Sequence, residues 1–302
     1  MPFGPQAGSE GNRTRLMNCS RFLFSTPSCL ESSFMNKAYA IIPAAGRGVR
    51  MGSGLPKQLL DLDGKPILAH TLGTFCRLEP CSGILLVLPE GFQVEAREIL
   101  ERFMGLEPLS GDGVPSSPDG AAWFRIQCPT EPGRPMPGAQ MPVRFVVGGA
   151  ERQDSVFNAL LQLPQDCGWV VIHDGVRPFA SLDLMRRTMD LAITEGAAIA
   201  AIPSTDTVKR VKDGKVVETL PRETIWLVQT PQVFRRDLIL EAYREARRQG
   251  WTGTDDASFV ERLGHRVAVV SGERFNIKVT TPEDLDWSAS FAKQSHRGRP
   301  SP

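Results

Sequence analysis

The chain has 302 residues, of which 41% are hydrophobic and 23% charged, with a formal net charge of +1. Such a composition is that of an ordinary globular protein of one large or two small domains. The near-neutral charge argues against a nucleic-acid or membrane surface, and no apolar run approaches the roughly 18 residues that span a bilayer.

Residues 1–34 contain Gly, Ser, Pro and Arg, few acids, and no helical or strand period. Three readings stay open for them: a mis-assigned start with Met35 the true one, a disordered tail, or a transit peptide. The last rests on the Arg- and Ser-rich, acid-poor stretch Arg13 to Cys29. From Tyr39 onward short apolar runs alternate with amphipathic segments. Strands are expected at Tyr39–Ile42, Gly83–Leu88, Val143–Val147, Trp169–Ile172, Ala197–Ile202 and Arg266–Val270. Helices are expected at Pro66–Leu78, with Leu68, Leu72 and Phe75 on one face, and at Glu151–Leu163, with Val156, Leu160 and Leu163 on one face. A third falls at Arg235–Arg248. Thr281-Pro282-Glu283-Asp284 starts a last helix, with a capping hydroxyl, a proline at the first helical position and acids in the first turn. This alternation predicts an α/β fold, a mostly parallel sheet flanked by helices, in one domain over 35–293 with a disordered tail at 294–302.

Two segments break the rhythm. Residues 106–142 are rich in Pro, Gly and Ser with little period, and read as a disordered surface insertion. In Thr207–Leu220 two strand-like runs flank Asp213-Gly214, a hairpin signal. A lone two-stranded hairpin is marginal, so this arm, over 206–222, must lean on something.

Chemistry concentrates at Ile41 to Gln58, Ile-Ile-Pro-Ala-Ala-Gly-Arg-Gly-Val-Arg-Met-Gly-Ser-Gly-Leu-Pro-Lys-Gln. A strand runs into a loop with four glycines and the cations Arg47, Arg50 and Lys57. Glycines let backbone N–H groups approach a ligand, and the cations offset phosphate charge, as a nucleoside triphosphate site requires. A dinucleotide fingerprint fails at Met51, where a third glycine would stand, and the Walker pattern is absent.

Other stretches fall between strands and helices. Gly148 to Ser155 is a glycine turn before a helix, able to brace a loop or to read a base edge. His173-Asp174-Gly175-Val176-Arg177-Pro178 closes a strand, where ligands bind in open α/β sheets. His173 is read as structural. Asp206 to Arg210 and Pro221-Arg222-Glu223 bracket the hairpin, and Asn276 to Thr280 precedes the last helix. Thr254-Asp255-Asp256-Ala257-Ser258 reads mainly as a helix cap with first-turn acids. The six cysteines include no C-x-x-C pair and the four histidines have no metal-ligand spacing. No Ser–His–Asp, Cys–His or paired-carboxylate arrangement stands out.

The stretch Pro43 to Gln58 resembles the signature of sugar-phosphate nucleotidyltransferases, and its Pro-Ala-Ala-Gly opening is most similar to the 2-C-methyl-D-erythritol 4-phosphate cytidylyltransferase family. The resemblance extends through six motifs over about residues 38–293. It implies a Rossmann-like sheet and transfer of a cytidylyl group from CTP to methylerythritol phosphate, with release of pyrophosphate. Arg50 and Lys57 would stabilise charge on the α-phosphate. Backbone of Ala44, Ala45, Gly46, Gly149 and Ala150, together with Ser155, would bind the nucleotide. Asp174, Arg177, Thr207 and Arg222 would bind the acceptor, the last two from a neighbouring subunit embraced by the hairpin arm of a homodimer. Lys278 would lie between the acceptor phosphate and the triphosphate. Mg²⁺ is expected, held largely by phosphate oxygens and water. Relative to the family, 106–142 is extra length. A cytoplasmic enzyme is expected, with the plastid reading kept open by the N-terminal segment. The alternatives are transfer to another polyol phosphate such as ribitol 5-phosphate, or an idle nucleotide-binding domain.

Overall fold

The computed structural model describes residues 37–46, 56–111, 114–115, 120–128 and 140–296. Strand β1 (Lys37–Pro43) is followed by the small hairpin β2 (Asp61–Leu62) and β3 (Lys65–Pro66). Asp63 and Gly64 turn that hairpin with φ of 54° and 82°, the left-handed region that Gly and Asp tolerate best. Then come α1 (Ile67–Phe75), β4 (Cys81–Leu88), α2 (Gln93–Met104), β5 (Glu107–Pro108), β6 (Phe124–Gln127), β7 (Gln140–Val147), α3 (Arg152–Leu160) and β8 (Cys167–Ile172). The second half runs α4 (Leu182–Glu195), β9 (Ala197–Pro203), β10 (Val208–Lys212), β11 (Lys215–Leu220), β12 (Trp226–Arg235), α5 (Arg236–Gln249), α6 (Ala257–Arg262), β13 (Ala268–Ser271) and α7 (Pro282–His296).

Among the described residues nine strands form one sheet in the order β13-β9-β12-β8-β1-β4-β7-β6-β5. β1 pairs in parallel with β4 and β8, β4 with β7, and β13 with β9, while β12 runs antiparallel to both β8 and β9. The pairing follows from burial on both faces. Alternate side chains of a strand point to opposite sides. Ala38, Ala40 and Ile42 of β1 thus enter one apolar layer with Leu68, Leu72 and Phe75 of α1, Leu100 of α2 and Met189 of α4. Tyr39 and Ile41 enter the other, with Val156 and Leu160 of α3, Ile239 and Tyr243 of α5 and Phe259 of α6. Cys76, Cys128 and Cys167 are free and buried in these layers, and Cys81 is free and half-buried.

The expectation of a disordered insertion over 106–142 is corrected at its described ends. Glu107–Pro108 and Phe124–Gln127 are strands, and β6 continues the sheet with Phe124 opposite Val143 and Ile126 opposite Met141. Trp123 and Ile126 are fully buried, Trp123 beside Tyr39 with ring centroids 6.3 Å apart, so two apolar side chains anchor β6 and the residue before it to the core. The tail expected from residue 294 begins inside α7, which continues to His296. β10 and β11 form the expected hairpin as a separate two-stranded sheet, turned at Asp213 and Gly214 with φ of 51° and 73°. The expectations for residues 1–34 and for Arg50 lie outside the described residues.

Candidate active site

Where the parallel strands end, a cavity of about 540 Å³ opens. Ala44, Ala45 and Gly46 follow β1, the turn from Gly148 to Arg152 follows β7, Asp174 follows β8, and Lys57 and Lys278 enter from flanking loops. β1 has β4 on one side and β8 on the other, so the chain's crossovers diverge here and leave a crevice beyond the carboxyl ends. Of the residues expected at the site, Ala44, Ala45, Gly46, Lys57, Gly149, Ala150, Ser155, Asp174 and Lys278 line this cavity. Arg177, Thr207 and Arg222 do not line it.

Gly148 lets the residues after β1 and β7 approach each other, and Gly149 lets the turn fold back on the start of α3. A Cβ on Gly148 would stand 2.5 Å from the Ala45 Cβ, and one on Gly149 2.3 Å from the Asp154 Cβ. Gly149 donates its N–H to Ser155 Oγ at 3.0 Å, and Glu151 and Asp154 form a reciprocal capping box at the start of α3. The side-chain amide of the buried Gln58 donates to the carbonyl of Ala44. The Ala44 carbonyl and the Gly149 N–H are therefore already held by side chains of the site.

Asp174 is the electrostatic centre. It is buried, and three cations surround its carboxylate: Lys278 Nζ at 3.0 Å and Arg177 Nε at 3.3 Å from Oδ2, and Arg152 Nε at 3.7 Å from Oδ1. Burial alone would raise its pKa, but Lys278, Arg152 and Arg177 outweigh it and hold the carboxyl well below the usual carboxylate range. Arg177 also donates to the carbonyl of Asn276 at 2.7 Å, and so joins the Asp174 loop to the loop that carries Lys278. Arg177 thus contacts Asp174 from outside the lining of the cavity.

Arg152 belongs to the glycine turn but has no role by pattern. Its two terminal nitrogens grip Asp256 at 2.9 and 2.7 Å, and Asp256 is completely buried. Burial opposes the charge on Arg152, and the Asp256 carboxylate overcomes that and raises its pKa. No sequence signal could pair them, since 104 residues separate the two. Asp255 makes the local contact expected of a cap, accepting from Ser258 N–H at 3.2 Å, whereas Asp256 turns inward.

His173 is structural, as expected. The Arg177 carbonyl, 3.1 Å from His173 Nε2, can only accept, so the neutral ring carries its proton at Nε2 and Nδ1 is an acceptor. Thr230 Oγ1, which accepts from Asp174 N–H at 3.1 Å, therefore donates its own proton to Nδ1 at 3.0 Å. Burial lowers the pKa of His173 to about 4. On the hairpin side, Thr207 and Arg222 are exposed, and Arg222 donates to the Thr205 carbonyl at 3.2 Å.

Comparison with known proteins gives one consistent answer. The family model of 2-C-methyl-D-erythritol 4-phosphate cytidylyltransferase matches residues 38–106 and 130–294, leaving out the segment that carries β5 and β6. The enzyme of that name from Bacillus thuringiensis (strain Al Hakam) is 42% identical over 251 residues, covering 83% of this chain and 96% of its own. That from Syntrophus aciditrophicus (strain SB) is 42% identical over 259 residues, covering 85% and 97%. The crystal structure of the Thermus thermophilus enzyme superposes with a TM-score of 0.61 at 31% identity, covering 85% of this chain and 99% of that one. The Anaerococcus prevotii structure, a 4-diphosphocytidyl-2C-methyl-D-erythritol synthase, gives 0.66 at 29% identity, covering 86% and 99%.

Proposed function

The chain belongs to the 2-C-methyl-D-erythritol 4-phosphate cytidylyltransferase family and is a nucleotidyltransferase of isoprenoid precursor biosynthesis, and from this we propose how its own residues carry the reaction. The reaction joins CTP to 2-C-methyl-D-erythritol 4-phosphate and releases pyrophosphate. The observation that supports this assignment most is that Lys57, Gly149, Ser155, Asp174 and Lys278, from four separate stretches of the chain, line one cavity.

An oxygen of the acceptor phosphate attacks the α-phosphorus of CTP, and the bond to the β-phosphate oxygen breaks as pyrophosphate leaves. The acceptor phosphate is already anionic at neutral pH, so no general base is needed, and the protein's task is alignment and charge compensation. Lys57, with Arg50, neutralises the pentacoordinate α-phosphate, and Lys278 bridges the two polyanions. The backbone of Ala44, Ala45, Gly46, Gly149 and Ala150, with Ser155, reads the cytosine nucleotide. Asp174 accepts from a hydroxyl of the acceptor, with Arg177 fixing its loop.

Mg²⁺ supplies further charge compensation when bound. The cavity carboxylates are Glu90, Glu151 and Asp174, Asp174 is already compensated by three cations, and no described group of three His, Cys, Asp or Glu side chains could cage a metal. The donor set therefore fits an ion carried on phosphate oxygens and water.

Thr207 and Arg222 complete the acceptor site of a second subunit. Supporting this are the exposed apolar side chains of the arm and its base: Val211, Val216 and Val217 at 57%, 62% and 61% exposure, and Leu227 at 54%. The bacterial relatives support a cytoplasmic setting. Among the described residues no helix is long and apolar enough to cross a membrane.

The test is pyrophosphate release by the purified protein with CTP and Mg²⁺, comparing methylerythritol phosphate with ribitol phosphate. Selective turnover of methylerythritol phosphate is expected. Turnover with ribitol phosphate alone would overturn the acceptor assignment, and no release by folded, nucleotide-binding protein would overturn the enzymatic one.

A further inference from the structure

We propose that Arg152 is a positioning residue for the acceptor subsite, a fork that orients Oδ1 of Asp174 by anchoring on the buried Asp256; the proposal rests on the function given above. Three observations carry it. First, Asp256 cannot swing. Its carboxylate is fully buried, Tyr243 donates its hydroxyl to Oδ1, and Gln232 Oε1 accepts from the backbone N–H groups of Asp256 and Ala257 at 3.2 and 3.1 Å. Second, both terminal nitrogens of Arg152 are held by that carboxylate, which fixes the plane of the guanidinium and the direction of its remaining N–H at Nε. Third, Nε faces Asp174 Oδ1 at 3.7 Å, whereas Lys278 and Arg177 both take Oδ2 at 3.0 and 3.3 Å. Among the described residues Oδ1 is thus the oxygen with only a long contact, on a residue that lines the cavity. A polyol hydroxyl donating to Oδ1 would meet a carboxylate whose rotation Arg152 has already set.

Arg152 is also the first residue of α3, directly after the Gly148–Glu151 turn. Its grip on Asp256, the residue before α6, therefore ties the turn and the acceptor carboxylate to one buried anchor. A lysine would keep the charge but offers one compact cation instead of a planar fork, and cannot hold Asp256 at two points while facing Asp174.

The experiment compares the wild-type full chain with R152K, measuring kcat and both KM values, thermal unfolding, and amide exchange over residues 148–155 and 173–178. For R152K the acceptor KM is expected to rise about tenfold, with the CTP KM changed less than about twofold. Melting should stay near wild type, and amide exchange should quicken over 173–178. Equal rises in both KM values, or unchanged kinetics and exchange, would overturn the proposal. Should R152K fold poorly, Tyr243→Phe, which removes one hydroxyl from Asp256, is expected to raise the acceptor KM selectively by about threefold. No selective rise there would overturn it. If the wild type itself fails to turn over, the assigned function falls, and the exchange comparison alone decides whether Arg152 orders the Asp174 loop.

Discussion

Lowering the pH should destabilise this protein through His173 before its carboxylates titrate. The ring is completely buried, receives the Thr230 proton at Nδ1, donates from Nε2 to the Arg177 carbonyl, and packs on the Phe75 ring at a centroid distance of 5.5 Å. Protonation would make Nδ1 a donor and leave the Thr230 proton without an acceptor. The folded-state pKa is about 4, against 6.5 for an ordinary histidine. Above about pH 6.5 both folded and unfolded chains hold a neutral ring, and the stabilisation is fully present. Between that pH and about 4 the unfolded chain takes up a proton that the folded chain refuses, so stability falls as pH falls. A gap of about 2.5 pH units corresponds to about 3 kcal/mol, most of it lost by about pH 4.5. Asp174 acts in a lower window: its depressed pKa contributes stability that is lost only as pH drops below the ordinary Asp value. Urea unfolding of wild type and His173→Asn from about pH 7 to about pH 4.5 isolates the histidine, and the wild type should lose about 2 kcal/mol more than the variant. Parallel curves would refute the reasoning, because they would mean that His173 titrates alike in both states.

Lys57→Ala should abolish turnover and leave the melting temperature near that of the wild type; near-normal turnover would sink the role given to this cavity-lining cation. Arg222→Ala should raise the acceptor KM far more than that of CTP, and equal effects in steady-state kinetics would count against its place in the acceptor site. Gly149→Ala would press a methyl 2.3 Å from the Asp154 Cβ, against backbone that cannot yield. Overpacking of this kind costs about 1–3 kcal/mol. Calorimetric CTP affinity should therefore fall markedly for Gly149→Ala, and wild-type affinity would show that the turn is not a braced reader.

The central parallel strands were legible because they are short apolar runs largely buried on both faces, as at Gly83–Leu88 and Trp169–Ile172. Trp226–Arg235 escapes such a reading because Gln229, Thr230, Pro231 and Gln232 interrupt its apolar pattern. These polar side chains are buried yet satisfied: Gln229 by Glu273, Thr230 by His173 and Asp174, and Gln232 by the Asp255–Ala257 backbone and side chains. Their partners lie far along the chain, and pairing with β9 shifts register between Val228 and Gln232. At the site, local motifs marked the glycine turns, Lys57 and Asp174, because close backbone approach and clustered charge leave traces within a few residues, whereas Lys278 was marked by the family resemblance alone. Arg152 left none, since its role depends on Asp256, which is distant in sequence. Trp123 and Ile126 likewise carried too little local pattern to reveal β6 within a Pro- and Gly-rich stretch.

Direct transfer of the cytidylyl group to the acceptor phosphate is tested by a reaction with CTP radiolabelled at the α-phosphate, Mg²⁺ and methylerythritol phosphate, with separation of the products. Label is expected in 4-diphosphocytidyl-2-C-methyl-D-erythritol, equimolar with the pyrophosphate released. Pyrophosphate with the label left in CMP, or labelled CTP returned unchanged by folded protein, would contradict direct transfer.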